Sequence, residues 1–284
     1  MFNLRIERDN VSLKMGHRQS EYKITTLSGI DGMAVEVTTS QGFDQIGESV
    51  DSMSVSARTI GIIGRIDNFT GPQLRAMNMM FLPMTTVRVY FEEKYWIDAV
   101  IKSAPVYTYS LRTAAFSIEL LAAYPYWKSV SEHSYRLGGS YGGFNFPISY
   151  NVPHNFELYG DSLTSNCINN GNTKVDYTAE LRCSSGTVTN VTLTNAGNQK
   201  FVTVKTEITS SDTVKIFREN NILRVTKTTG NATTDIFSDL DEDSDLFYME
   251  VGDNVIKASS ESGDGLLVVT IRFSDTVVGV RYGI

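Results

Sequence analysis

The one local pattern with a recognisable ligand spacing is Asp239-Leu240-Asp241-Glu242-Asp243-Ser244-Asp245, with Glu250 at the twelfth place. Carboxylates at positions 1, 3, 5 and 12 are the oxygen donors with which an EF-hand loop surrounds Ca²⁺, and Leu246 falls where such a loop packs an apolar residue. Two features oppose that reading. Position 6 is Ser244, where the sharp turn wants glycine, and the flanks Thr234-Asp235-Ile236-Phe237 and Leu246-Phe247-Tyr248-Met249-Glu250-Val251 read as strands rather than helices. The expected state is a solvated acidic hairpin whose self-repelling carboxylates stay in water, and no metal ligand is assigned.

Other chemistry is sparse. His17, His133 and His154 fall in no metalloprotease or triad-like motif, and structural roles are expected for them. No phosphate-cradling Gly-x-x-x-x-Gly-Lys-Ser/Thr loop is present. Whether two carboxylates stand the roughly 5 to 10 Å apart that glycoside hydrolysis needs is a property of the fold. Cys167 and Cys183 lack CxxC spacing and a histidine partner, so buried free thiols are expected, with a disulfide between them the alternative. Asn68-Phe69-Thr70, Asn190-Val191-Thr192 and Asn231-Ala232-Thr233 match the glycosylation triplet by chance, because no secretory signal follows Met1. No catalytic, cofactor-binding or metal residue is assigned, and no cofactor is implied, since function has to be argued from a site.

The net charge of −7 is unevenly placed. Residues 1–155 hold 14 acidic and 14 basic side chains, residues 156–284 hold 18 and 11. An acidic chain without a Lys/Arg-rich run lacks the footprint of a nucleic-acid binder, because phosphate neutralisation supplies most non-specific affinity. No apolar run approaches the length of a membrane span.

The elements that would position any site are mainly β. Tyr22–Thr26, Met33–Thr38, Thr86–Phe91 and Phe116–Leu120 alternate with the period of half-buried strands. Ile60–Ile66 is a further strand whose glycines imply a bulge or a close backbone approach. Glu92-Glu93-Lys94 makes a polar turn before the strand Tyr95–Ile101. One helix is expected, with Thr70 as N-cap, Pro72 in its first turn, Leu74, Met77 and Phe81 along one face, and Pro83 ending it. Met77, Met79, Met80 and Met84 are expected as core filler rather than as an adaptable binding surface.

The character changes after Trp127. A Gly/Pro-rich connection over residues 131–155 separates a first domain, 1–130, from a second, 156–284. In the second, Val188–Leu193, Phe201–Val204, Val214–Ile216, Ile222–Val225 and Leu266–Ile271 recur at the spacing of an all-β sandwich.

In series, these segments resemble the distal tail (Dit) proteins of siphophages. The resemblance is carried by Tyr22-Lys23-Ile24 with Gly29 and Gly32, by the strand Ser54–Gly64, by the helix ending Phe81-Leu82-Pro83, and by Phe116–Trp127, an apolar strand running into a Pro-aromatic-Trp step. In the second domain Asn166–Gly171 and Met249–Ile256 carry it. The resemblance implies a β-sandwich-like first domain with one helix and a galectin-like antiparallel β-sandwich second domain. It implies a structural, non-enzymatic protein of the virion tail tip, made and assembled in the bacterial host cytoplasm. The implied partners are five further copies in a hexameric ring, the tail tube protein, the tail hub or tail-associated lysin and, in many phages, receptor-binding proteins. Tyr90, Phe91, Tyr95, Trp96, Tyr107 and Tyr109 suit neighbour contacts in such a ring. The alternative is a carbohydrate-binding or adhesion module for cell-wall polysaccharide, which the absence of tryptophan from the second domain disfavours.

Overall fold

The computed structural model describes residues 3–17, 20–139, 163–219 and 222–280. It divides into two compact units, residues 1–131 with 276–284, and residues 132–275.

In the first unit the strands are β1 (Asn3–Arg8), β2 (Val11–Gly16), β3 (Tyr22–Ser28), β4 (Val35–Ser40), β5 (Ser49–Val55), β6 (Arg58–Asp67), β7 (Thr86–Phe91), β8 (Tyr95–Tyr109), β9 (Thr113–Ala122) and β10 (Trp127–Gly138), with α1 (Gly71–Met80) between β6 and β7. Seven of them run in the order β8-β7-β1-β2-β3-β6-β9, and β8 also pairs with β9, so the sheet closes on itself and leaves these strands without a free edge. The β2–β3 pairing is parallel and the neighbouring pairings are antiparallel. Alternation sends Leu4, Ile6, Ile60, Ile62, Val87, Val89, Ile97, Phe116 and Ile118 inward to one core. Gly64 is required there, because a Cβ would lie 2.4 Å from both the Lys23 carbonyl oxygen and the Phe116 ring of the adjacent strand. Pro105 lies within β8 where its register with β9 shifts, a place that spares the ladder a missing N–H.

The helix starts as the sequence implies: the Thr70 N–H donates to Gln73 Oε1 at 2.8 Å, and Pro72 lies in the first turn. Met77, Met80 and Phe81 are buried in the first core, whereas Met79 and Met84 are exposed. The expectation that all four methionines fill the core is therefore corrected. Met77, Met80 and Phe81 share a face at three- and four-residue spacing, Met79 faces away, and Met84 sits past Pro83 with φ 63°.

The second unit holds β11 (Thr164–Asn169), β12 (Thr178–Cys183), β13 (Thr187–Asn195), β14 (Phe201–Thr209), β15 (Asp212–Glu219), β16 (Ile222–Thr229), β17 (Ala232–Asp235), β18 (Gly252–Ser262) and β19 (Leu267–Val277). One sheet runs β17-β16-β15-β12-β19-β10 and another β11-β18-β13-β14. Leu181, Val214, Ile216, Val269 and Ile271 of the first meet Val188, Leu193, Val204, Ile208 and Ile256 of the second in one core, which makes this unit an antiparallel sandwich. The mainly β class with one helix thus holds.

Two boundaries differ from the expected ones. Residues 131–138, expected to begin a connection, continue β10, and Leu137 is buried in the second core. Residues 276–280, expected in the second domain, lie in the first unit, where Val277 and Val280 gain burial. The rest of the connection, with His154, lies outside the described residues.

Candidate assembly surface

Between Ser28 and Arg58 the chain leaves the closed sheet as an arm. Among the described residues β4 and β5 pair only with each other, and each of their residues is exposed. Val35 lies opposite Val55 and Val37 opposite Met53, and alternation places these four on one face of the ribbon while Glu36, Thr38, Ser52 and Ser54 take the other. At the tip, Phe43 and Ile46 are 107% and 103% exposed. The turn that carries them is nevertheless built: the Gly42 N–H donates to Gln45 Oε1 at 2.9 Å, Gln45 Nε2 donates to Ser49 Oγ at 2.9 Å, and Gln41 Nε2 donates to the Gln45 carbonyl at 3.2 Å. Asp44 and Gly47 take left-handed conformations that close the turn. An isolated two-stranded hairpin is marginal in water, and exposed apolar faces and unpaired edges are the features by which candidate interaction surfaces are recognised.

The arm corrects two expectations. Met33–Thr38, read as a half-buried strand, forms a strand only from Val35 on, and that strand is exposed. Ser54–Gly64, read as one strand, is split between β5 and β6, with Ser56 and Ala57 at the root of the arm. The available signal was Phe43 and Ile46 set among Gln41, Gly42, Asp44, Gln45 and Gly47: large apolar residues inside a turn.

The aromatic set expected at a subunit contact is largely engaged within the chain. Phe91 is in the core, against Trp127 at 6.2 Å. On the outer face the Arg5 guanidinium lies 3.8 Å over the Tyr90 ring, and Arg88 lies 3.9 Å over Trp96. Glu93 and Asp98 anchor those arginines through paired hydrogen bonds. Tyr107 and Tyr109 stack at 5.9 Å, and burial raises the Tyr107 hydroxyl pKa to about 12.

The acidic segment serves the backbone. The Asp241 and Asp245 N–H groups donate to the Thr203 and Phe201 carbonyls at 2.9 and 2.8 Å, and the Thr203 N–H donates to Ser244 Oγ at 3.0 Å. The loop therefore seals the outer edge of β14. Ser244, the residue that spoils the Ca²⁺-loop pattern, supplies the hydroxyl that this edge needs. Lys205 and Lys200 engage Asp241 and Asp245 at 2.7 and 2.8 Å, and the Lys205 hydrogen bond, with the Asp243 N–H, holds the Asp241 carboxyl below its usual range. Of the flanks, Ala232–Asp235 is a strand, but Leu246–Val251 is not: it makes one bridge, Met249 to Val175, and buries Phe247 and Met249. His133 Nε2 lies 2.8 Å from Asp275 Oδ2, and His17 is exposed. Cys167 and Cys183 are buried free thiols, and burial raises the Cys167 pKa to about 12.

The two segments carrying the resemblance in the second unit come together, because β11 pairs with β18 and Cys167 lies opposite Asn254. Their buried asparagines close turns. Asn169 Nδ2 donates to the carbonyls of Thr173 and Met249, and Asn254 spans the Glu250 N–H and C=O groups.

Residues 170–276 match the family described as the siphovirus-type tail component, C-terminal domain. Over those residues the chain is similar to the Dit-type tail component. Among solved structures, the crystal structure of the Dit protein (gp 19.1) of phage SPP1, described there as a paradigm of the hub adsorption apparatus in phages infecting Gram-positive hosts, matches with a TM-score of 0.70 at 13% identity, over 97% of this chain and 99% of that one. Chains of the phage p2 baseplate in its activated conformation match with TM-scores of 0.51 for the Ca structure, at 12% identity, and 0.50 for the Sr structure, at 11%. In both cases 96% of this chain and 98% of the other are covered. A comparison with curated proteins finds no match. The Dit resemblance read from the sequence is thus matched by family in the second unit and by fold along the chain. Among the described residues no helix is long and apolar enough to cross a membrane.

Proposed function

We propose that the chain is a structural subunit of the virion tail tip that assembles into a hexameric ring, joins the tail tube to the hub or tail-associated lysin, and anchors receptor-binding proteins. In this reading the first unit, expected over residues 1–130 and completed by the return segment from Thr276, forms the ring, the second unit, expected over 156–284 and ending at Asp275, is galectin-like and binds the peripheral partners, and assembly takes place in the host cytoplasm. The observation that carries it is the arm. Its apolar face has no counterpart on itself, and a contact between two different patches of identical chains propagates around a closed ring. The similarity of residues 170–276 to a siphovirus-type tail component supports a phage tail as the setting of that contact.

Mass photometry of the full chain, alone and with a tail tube protein, tests the ring. The expected species is a closed hexamer, and a monomer at every concentration and with every partner sinks the reading. The paired variant Phe43→Ser and Ile46→Ser should abolish the hexamer while shifting unfolding stability by no more than about 0.5 kcal/mol, because exposed side chains away from packed features contribute little to folding. Binding to cell-wall polysaccharide by a strictly monomeric chain would favour the carbohydrate-binding alternative instead.

A further inference from the structure

Both legs of the arm meet at one buried arginine. Arg58, the first residue of β6, is 4% exposed. Its Nε donates to the Pro125 carbonyl at 2.6 Å, its Nη1 to the Gly29 carbonyl at 2.7 Å, and its Nη2 to the Val278 carbonyl. Gly29 leads into the arm, Arg58 follows it, and Val278 arrives from far along the chain. Two further contacts fasten that third segment. The Val280 N–H donates to the Ile30 carbonyl at 3.1 Å, and Val277, Val280 and Ile30 are all buried in the first core. Gly279 passes so close to the ingoing leg that a Cβ on it would lie 2.2 Å from the Asp31 carbonyl oxygen. The legs also touch each other: the Ser56 N–H donates to the Ala34 carbonyl at 3.2 Å, and Gly29, at φ +75°, approaches Thr59 so closely that a Cβ would sit 1.9 Å from its carbonyl oxygen.

The root of the arm is thus a knot of three strands of chain, one of which follows the whole second unit in sequence. We propose that residues Thr276–Val280 are a strap that fixes the direction in which the arm leaves the first unit, with Arg58 as the positioning residue through which it acts. An arm held in one direction binds without spending interaction energy on its own ordering, whereas an arm with a loose root must be ordered at each encounter. The arm is accordingly presented for assembly only in chains whose return segment is seated. This rests on the reading of the arm as the self-association element.

The test uses the full chain with Arg58→Lys and, separately, Gly279→Ala. Lysine keeps the charge but cannot reach three carbonyls as a planar fork does. Alanine wedges the strap away from Asp31 and leaves Arg58 intact. Amide exchange reports the root through the Ser56 and Val280 N–H groups, and sedimentation reports self-association. Both variants are expected to raise exchange at the root and along residues 35–55 by about tenfold or more and to weaken self-association by a similar factor, with exchange in the second unit unchanged. Root exchange at the wild-type rate in a folded Gly279→Ala chain overturns the proposal, as does a loosened root with association at wild-type strength. The Phe43→Ser, Ile46→Ser chain separates the two readings. If it loses association with an undisturbed root, the arm is the contact element and the strap is judged on its own variants. If it associates like wild type, the arm reading falls, and the exchange data still decide whether the strap holds the root.

Discussion

Two strand edges in this protein receive opposite treatment. The edge of β14 is closed: Asp241 and Asp245 donate to its carbonyls and Ser244 accepts from Thr203, with Lys200 and Lys205 holding the capping loop in place. The arm leaves both edges of its two strands bare and adds Val35, Val37, Met53, Val55, Phe43 and Ile46 to water. Unpaired edges invite unwanted pairing, and proteins ordinarily cover, charge or shorten them. The capped edge shows that this chain does so where no partner is needed. The uncapped arm is the surface that the proposed ring would cover.

The comparison breaks if stability and association cannot be separated, and the first unit's core gives the largest stability change. Trp127 is buried, in edge contact with Phe91, and its indole N–H has no hydrogen-bond partner among the described residues. Trp127→Ala should cost about 3 to 5 kcal/mol in chemical denaturation of the first unit, and Trp127→Phe clearly less, since no hydrogen bond is lost. A midpoint unmoved by Trp127→Ala would show that this core does not support the arm.

A smaller effect is expected at Asp212, the first residue of β15 after the turn from β14. Burial pushes its carboxyl pKa up, but hydrogen bonds from the Thr229 hydroxyl, the Thr209 N–H and hydroxyl, and Lys227 outweigh it and hold the group far below its ordinary 3.8. A depressed folded pKa contributes stability that is fully present above the unfolded value and lost as pH falls below it. Asp212→Ala should lower stability at neutral pH by about 2 to 3 kcal/mol, and the deficit against wild type should shrink as pH drops below 3.8. An equal deficit at pH 7 and pH 2.5, set to bracket that range, would exclude the charge as its source.

Smaller again is the cap itself. Ser244→Ala removes the acceptor for the Thr203 N–H and should cost about 1 kcal/mol, with faster amide exchange confined to β14 and its capping loop. Slow, wild-type exchange at Thr203 would mean that the edge is protected by something else. Smallest is the response to Ca²⁺. With Asp241 and Asp245 already engaged by lysines, millimolar Ca²⁺ should leave the melting midpoint in place, whereas a specific site saturated a hundredfold would add about 2.7 kcal/mol. A large shift abolished by Asp241→Ala would restore the metal-loop reading.

Much of this fold was legible because it is written in local periodicity. β7 falls on Thr86–Phe91 as the alternation predicts, the helix begins at the Thr70 cap, and Trp127, after Pro125, is buried in the first core as its apolar surroundings imply. What misled was any segment whose pattern suits either a buried or a displayed strand. Val35-Glu36-Val37 alternates like a half-buried strand, and it does present one apolar face, but no element among the described residues covers that face. The acidic run has the composition of a ligand loop, while its role is set by which strand edge lies beside its backbone.

The sequence by itself determined the β class, the α-helix with its Thr70 cap and proline stop, and the segments that carry the tail-component likeness, because alternation, capping and turn chemistry act over a few neighbouring residues. Only the tertiary structure decided that β8 returns to pair with β9, that Ser244 completes a strand edge, and that Val278 meets Arg58 across 220 residues of chain. Those outcomes depend on which backbone groups remain unsatisfied once the cores have formed, and no local pattern encodes the distant partner that satisfies them.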